Sequence, residues 1–275
     1  MSQTTFDVAL CQYAFGSVKT IDAFWERITG LFERCGPADM YILPELIGYD
    51  VAMSNSREEY QLRSSEIEEF HDKLAGEASD RDAIIVGGSY RVSDEGELYN
   101  RAPIALPDGS LRTYTKQRPV PAEREDGVAS GSHGGPIFEH NGVSAGVLIC
   151  YDAEFPDVVR DVVERGAEVI ALPSLTGSVA GYQRVSRCSA ARAVENQAYV
   201  LQVPLVGTHP HGQKCGTGRA SCFAPCDDIA GPDGTRLTLP ADEHAVGVQR
   251  LDVDLIRKSR SSASVRPFSD RLVFE

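Results

Sequence analysis

The chain has 275 residues, 42% of them hydrophobic, and a formal net charge of −13. A surface that acidic repels phosphate backbones and anionic lipid, so nucleic acid and membrane are excluded as partners. The opening MSQTTFDVAL has no basic stretch followed by a long apolar one, and no apolar run approaches the ~20 residues of a membrane span. The seven cysteines are Cys11, Cys35, Cys150, Cys188, Cys215, Cys222 and Cys226. An odd, scattered set of this kind reads as reduced thiols in a cytoplasmic protein, which leaves a free thiol available for chemistry.

The first half alternates strands and helices. FDVALCQ is a strand, and Ile21, Phe24, Ile28, Leu31 and Phe32 then fall at helical spacing, predicting an amphipathic helix over 18–35. DMYILPE, 39–45, is a short buried strand stopped by Pro44. A more exposed helix is expected over 57–79, with Tyr60, Ile67, Phe70 and Leu74 on one face. AIIVGGSYRV and LYNRAPIAL follow as strands, and the PDG turn at 107–109 leads into LRTYTK.

After the Gly/Ser-rich GVASGSHGG, the stretch PIFEHNGVSAGVLIC reads as a hairpin turning at Asn141-Gly142. A helix is expected over 156–166, opened by Pro156, then the strand AEVIALPS, a helix over 181–196 and the strand AYVLQVPLVG. RASCFAP, TRLTL and AVGVQRLDV supply the last strands, and the polar tail 255–275 reads as extended. ERCGPADMYILPEL (33–46) and VERGAEVIALPSL (163–175) share one pattern: helix end, Gly, apolar strand, Leu-Pro, polar residue, Leu. The echo is read either as a two-fold repeat of strand–helix–strand units or as two ordinary helix–strand joints that coincide.

Three strand ends carry reactive groups. Cys150 ends the apolar run GVLIC and precedes a helix start, where the turn N–H groups can serve an oxyanion and the helix end can lower a thiol pKa. Glu45 follows a buried strand and a proline, and desolvation there raises a carboxylate toward general-base strength. Lys116 closes LRTYTK and can hold a developing negative charge. Each also suits an ordinary role: a buried inert cysteine, a loop glutamate, a surface lysine. Glu123 equally suits a surface carboxylate beside Arg124. Thiol, carboxylate and lysine together at the carboxyl ends of strands match where α/β sheets place ligand sites.

The motifs LPELIGYD at Glu45, YTKQ at Lys116, GVLICYDAEFPDVVR at Cys150, GAEVIALPS and AARAVENQAYVLQVPLVG stand in the order seen in the nitrilase (carbon–nitrogen hydrolase) superfamily. The chain resembles that superfamily over nearly its whole length. The resemblance implies one domain over 1–275 with an α/β fold, a four-layer α-β-β-α sandwich with a two-fold pseudo-repeat. It implies a Glu45–Lys116–Cys150 triad, Glu123 beside the lysine, and the backbone N–H of Tyr151 in the oxyanion hole. It also implies a homodimer or larger homo-oligomer, with residues of about 255–275 forming part of the interface, and no cofactor. CYDAEFPD resembles the amidase and carbamoylase branches, where the expected substrate is a small amide. An N-carbamoyl amide or a nitrile fits the same triad, and a catalytically silent scaffold is the reading from another class. The short Lys116–Glu123 loop and Pro204, where relatives commonly carry Asn, depart from the pattern.

Two other chemistries fit the sequence less well. His209, His211, Cys215, Cys222 and Cys226 lie within eighteen residues, yet their spacing lacks the tight pairs a zinc site uses, so no metal is expected. No Gly-x-Ser-x-Gly elbow supports a Ser/His/Asp hydrolase.

Overall fold

The computed structural model describes residues 3–56, 60–132, 134–210 and 215–271. Strand β1 (Thr5–Gln12) leads into α1 (Ile21–Cys35), β2 (Met40–Ile42), α2 (Tyr49–Ser54), α3 (Ser64–Arg81) and β3 (Ile84–Val86). Strands β4 (Tyr90–Asp94), β5 (Glu97–Ala105) and β6 (Leu111–Thr115) come next, then α4 (Pro121–Glu125). The hairpin β7 (Ile137–His140) and β8 (Val143–Val147) precedes a 3₁₀ turn over Cys150–Glu154. Then follow α5 (Pro156–Glu164), β9 (Val169–Leu175), α6 (Val179–Asn196) and β10 (Tyr199–Leu205). A small ribbon, β11 (Gly207–Thr208) with β12 (Cys215–Gly216), precedes β13 (Ser221–Phe223), β14 (Thr235–Thr238) and β15 (Ala245–Asp252). The chain closes with α7 (Val253–Ser262) and α8 (Pro267–Asp270).

The strands form two main sheets. One runs β15-β1-β2-β3-β5-β4, with β6 paired to β5, and the other runs β14-β13-β10-β9-β8-β7. Period-two patterning decides which side each residue faces. Phe6, Val8 and Leu10 of β1, with Met40 and Ile42 of β2, join Val147, Val169 and Leu201 in a core between the sheets. Ala9, Cys11 and Tyr41 face the other way, against Phe24, Ile28 and Leu31 of α1 and Phe70 and Leu74 of α3. Helices α5 and α6 cover the second sheet, where Val158, Val159, Val162 and Val163 are buried. Each large apolar side chain so buried is worth about 1.5–3 kcal/mol of transfer free energy. Gly146 lets α5 pack closely on β8: a Cβ there would lie 2.5 Å from Val162 Cγ1. The result is the α-β-β-α layering that the resemblance implied.

The sequence echo has a structural counterpart. In one sheet β1, β2 and β3 are parallel neighbours, and in the other β8, β9 and β10 are. Each parallel trio is flanked by antiparallel strands: β15 and β5 in the first sheet, β7 and β13 in the second. The repeated segments end in β2 and β9, the middle strand of each trio.

Three sequence expectations change. The tail is helical rather than extended over 253–262 and 267–270: α7 is capped by Asp252, whose side chain accepts from the Leu255 N–H, and buries Val253 and Ile256. The helix expected at 57–79 begins at Ser64, and the separate α2 precedes it. AIIVGGSYRV is two strands, because Gly88 takes φ 71° and its missing Cβ would lie 2.3 Å from the Pro44 carbonyl oxygen. The Asn141-Gly142 turn holds as read, with φ 49° and 73° suited to a two-residue hairpin.

Candidate active site

The break at Gly88 positions Glu45. The Ser89 N–H donates to the Pro44 carbonyl (3.2 Å), and the Leu46 N–H donates to Ser89 Oγ (2.9 Å). The turn carrying Glu45 is thus stitched to the neighbouring strand end on both sides of the carboxylate. Lys116 continues the β5–β6 ladder, its N–H donating to the Asn100 carbonyl at 2.9 Å. Glu123 lies in the first turn of α4 and accepts the Val120 N–H at 2.8 Å.

Cys150 sits at φ 46°, a left-handed conformation that costs a non-glycine residue about 1–3 kcal/mol. Asp152 holds that turn. It accepts from the Ile149 N–H (3.0 Å), the Tyr114 hydroxyl (2.8 Å) and the Arg118 N–H (2.9 Å). One buried carboxylate therefore ties the turn of the thiol to the segment that follows Lys116. Tyr151 is at the start of the 3₁₀ turn, where a backbone N–H has no intrahelical acceptor.

The fold brings these four side chains together. Lys116 Nζ lies 2.7 Å from Glu45 Oε1 and 2.7 Å from Glu123 Oε2. Asn100 Nδ2 donates to the same two carboxylates, to Glu45 Oε1 at 2.9 Å and Glu123 Oε1 at 2.8 Å. The Leu175 N–H donates to Glu45 Oε2 at 2.8 Å, and the Cys150 thiol lies 3.7 Å from the Leu175 carbonyl oxygen. The backbone of Leu175 thus faces both the Glu45 carboxylate and the Cys150 thiol. All four members are nearly inaccessible: Glu45 and Lys116 are 1% exposed, Cys150 3% and Glu123 5%.

Two carboxylates and one ammonium share this dry space, and their protonation follows from that. Burial raises the Glu45 pKa and the Glu123 charge adds to the rise, while Lys116 opposes it. Burial alone would lower Lys116, but Glu45 and Glu123 outweigh it and hold the ammonium well above its ordinary value. Glu123 is also desolvated, yet the Lys116 charge and its hydrogen bonds bring it below the usual carboxylate range. Burial, reinforced by Glu45, pushes the Cys150 thiol well up despite Lys116. The expectation of a thiol pKa lowered by a helix start is therefore corrected: desolvation outweighs the helix end. Burial thus favours the protonated form of the thiol.

A pocket of about 240 Å³ opens onto Cys150. Val120, Tyr151 and Leu175 line it, as do Glu154 and Arg184. Arg184 Nε donates to both Glu154 oxygens, at 2.8 and 2.7 Å. The zinc reading is not realised among the described residues, where no group of three or more His, Cys, Asp or Glu is placed to hold a metal. His209 is buried against Ser54 and Asp50, Cys222 is buried in β13, Cys215 and Cys226 are exposed, and His211 lies outside the described residues. Asn100, Asp152 and Leu175 were not singled out as parts of a site.

Residues 7–260 match the family described as carbon-nitrogen hydrolase. The chain is 27% identical over 279 residues to "Probable hydrolase YhcX" of Bacillus subtilis, covering 98% of this chain and 54% of that protein, so it spans about half of that relative's length. It is 28% identical over 236 residues to the 2-oxoglutaramate amidase of the same organism, covering 85% of each. Among solved structures it resembles Saccharomyces cerevisiae Nit3, with a TM-score of 0.75, 21% identity and 96% of each chain covered. The chain belongs to the carbon–nitrogen hydrolase family.

Proposed function

We propose that this carbon–nitrogen hydrolase cleaves a small linear amide through a thioester formed on Cys150, releasing ammonia and a carboxylic acid. The observation that carries the proposal is the buried Glu45–Lys116 ion pair joined to the Cys150 thiol through the Leu175 backbone, in a cluster that meets solvent through the Cys150 pocket.

The chemistry starts from the resting protonation. A substrate carbonyl settles over Cys150, with its oxygen toward Lys116 Nζ and the Tyr151 N–H. The thiol transfers its proton to Glu45 as sulfur attacks, so no free thiolate has to persist in a desolvated site. Lys116 and the turn N–H take the oxyanion charge. Glu45 then gives the proton to the leaving amine, and the C–N bond breaks to leave the thioester. Water enters, loses a proton to Glu45 and attacks the thioester. Collapse returns that proton to sulfur and releases the acid. Glu123 keeps Lys116 charged and in place throughout, and Asn100 holds the two carboxylates at a fixed separation.

Support for an amide comes from the relative named 2-oxoglutaramate amidase. The pocket volume suits a small acyl group, and the Glu154–Arg184 pair on its wall favours a polar acyl end. We further place the enzyme in the cytoplasm as one hydrolase domain that forms a homodimer or larger homo-oligomer. Among the described residues no helix is long and apolar enough to cross a membrane. Ammonia release from a panel of small amides, N-carbamoyl amino acids and nitriles tests the proposal. Amides should lead the panel, and all release should disappear in Cys150→Ala. Release that survives this substitution would overturn the mechanism, and none from any substrate in the wild type would favour the silent scaffold.

A further inference from the structure

Cys150 is not the only cysteine with a chemically informative neighbour. Cys11, on the helix-facing side of β1, and Cys35, the last residue of α1, bring their sulfurs to 3.8 Å. They are 24 positions apart in sequence, so the contact is made by packing α1 against its sheet. Their environments differ. Cys11 is fully buried, whereas Cys35 is partly exposed.

We propose that Cys11 and Cys35 form an oxidant-accepting dithiol, in which Cys35 reacts with a peroxide and Cys11 resolves the product as an intramolecular disulfide. Of the two, Cys35 is the one open to a reagent from solvent. The hydrogen bond from Cys11 lowers the Cys35 pKa, and the charges of Arg34 and Arg81 lower it further, against the burial that raises it. Burial holds Cys11 well up as a protonated thiol. The two roles are thus divided between an attacking and a resolving sulfur.

The steps balance. The Cys35 thiolate attacks one peroxide oxygen, the O–O bond breaks, and Cys35 becomes a sulfenic acid while hydroxide leaves and takes up a proton as water. The Cys11 sulfur then attacks the Cys35 sulfur. Its proton leaves with the displaced hydroxyl as a second water, and an S–S bond forms. Closing 3.8 Å to a bond of about 2.0 Å needs roughly 1.8 Å of movement. Cys35 is placed to provide it. It is the final residue of α1, and the next residue, Gly36, takes φ 70° outside the helix.

Cys150 competes poorly for the same oxidant. It is 3% exposed, its pKa is raised, and it lies in the core on the other side of the first sheet from the Cys11–Cys35 contact. The dithiol therefore accepts the first oxidising equivalents before the thiol of the hydrolase site does.

The experiment treats the reduced full-length chain at low protein concentration with about one equivalent of hydrogen peroxide, then maps peptides by mass spectrometry without reduction. The expected product is a monomer lighter by two hydrogen atoms, with Cys11 and Cys35 in one linked peptide pair and Cys150 still alkylatable. In Cys11→Ala the same treatment should leave a sulfenic acid on Cys35 that a cyclic diketone traps. In Cys35→Ser the linkage should vanish and Cys11 should remain a thiol. Oxidation of Cys150 ahead of the pair, a linkage involving other cysteines, or a sulfenic acid that persists on Cys35 in the wild type would each overturn the proposal. Should Cys11→Ala fail to fold, the wild-type map and Cys35→Ser, altered only at a partly exposed helix end, still decide it.

Discussion

The ends of β2 and β9 are the two echoes of one pattern, and they do different work. Leu43-Pro44-Glu45-Leu46 and Leu172-Pro173-Ser174-Leu175 correspond position by position. In the first, the chain leaves the sheet after Ile42 and turns through Leu46 at φ 53°, delivering Glu45 into the buried cluster. In the second, the strand continues to Leu175, and the hydroxyl of the buried Ser174 has no hydrogen-bond partner among the described residues. The two segments meet: the Leu175 N–H holds Glu45 Oε2, and the Leu175 carbonyl faces the Cys150 thiol. One copy supplies a side chain and the other supplies a backbone cradle for it. A duplicated fold thus builds an asymmetric site where its two halves touch.

That comparison can be broken by substitution. The largest effect should come from Cys150→Ala. Removing a nucleophile that acts as a unit with its base should cost at least about 10⁴-fold in kcat, with the thermal midpoint close to that of the wild type. Next, Glu45→Gln should lower kcat by about 10²–10⁴-fold, the range of a general acid–base residue. Its counterpart Ser174→Ala should leave kcat within about three-fold, because Ser174 Oγ bonds to nothing among the described residues. Equal losses at the two positions, measured with one amide, would show that the halves are not divided as described.

Asp152→Asn should reduce stability by about 1–3 kcal/mol, since an amide cannot accept all three hydrogen bonds that this carboxylate accepts. Chemical denaturation measures the loss, and kcat should fall with it as the Cys150 turn loosens.

The smallest effect is on pH. In the proposed mechanism Glu45 must be unprotonated to act, so activity should rise with pH through its raised pKa. Because the Glu123 charge helps raise that pKa, Glu123→Gln should move the acid limb of kcat/KM to lower pH. Stability carries opposite signs for the two carboxylates. The Glu45 contribution is present below its unfolded value of about 4.3 and is lost as pH rises through its higher folded value. The Glu123 contribution is present above that unfolded value and is lost as pH falls through its lower folded value. An acid limb that stays in place in Glu123→Gln would count against this coupling.

Glu45, Lys116 and Cys150 stand out in the sequence because each lies in a local motif at or just beyond a strand end, whereas Glu123, in the first turn of α4, is expected only from the family resemblance. Their partners do not stand out. Asn100 lies inside LYNRAPIAL with nothing nearby to mark it, and its carboxylates are 55 and 23 positions away. The Leu175 contribution is a backbone N–H, which leaves no trace in residue type. Helix α2 escaped because all of Tyr49–Ser54 is buried, so no polar face gives it a helical period. Helix α7 looked like polar tail because its apolar stripe is Val253 and Ile256 alone, although Asp252 stood ready as a cap. The raised thiol pKa depends on how completely the strand end is desolvated, which only the assembled layers determine.

The central claim is that carbon–nitrogen bond cleavage passes through an acyl group on Cys150. Rapid quenching of the wild-type protein during turnover of a small amide, followed by peptide mass spectrometry, tests it directly. The acyl mass should appear on the peptide carrying Cys150 and on no other cysteine, and disappear when substrate is exhausted. Steady ammonia release with Cys150 never acylated, or with the acyl mass on a different residue, would contradict the account.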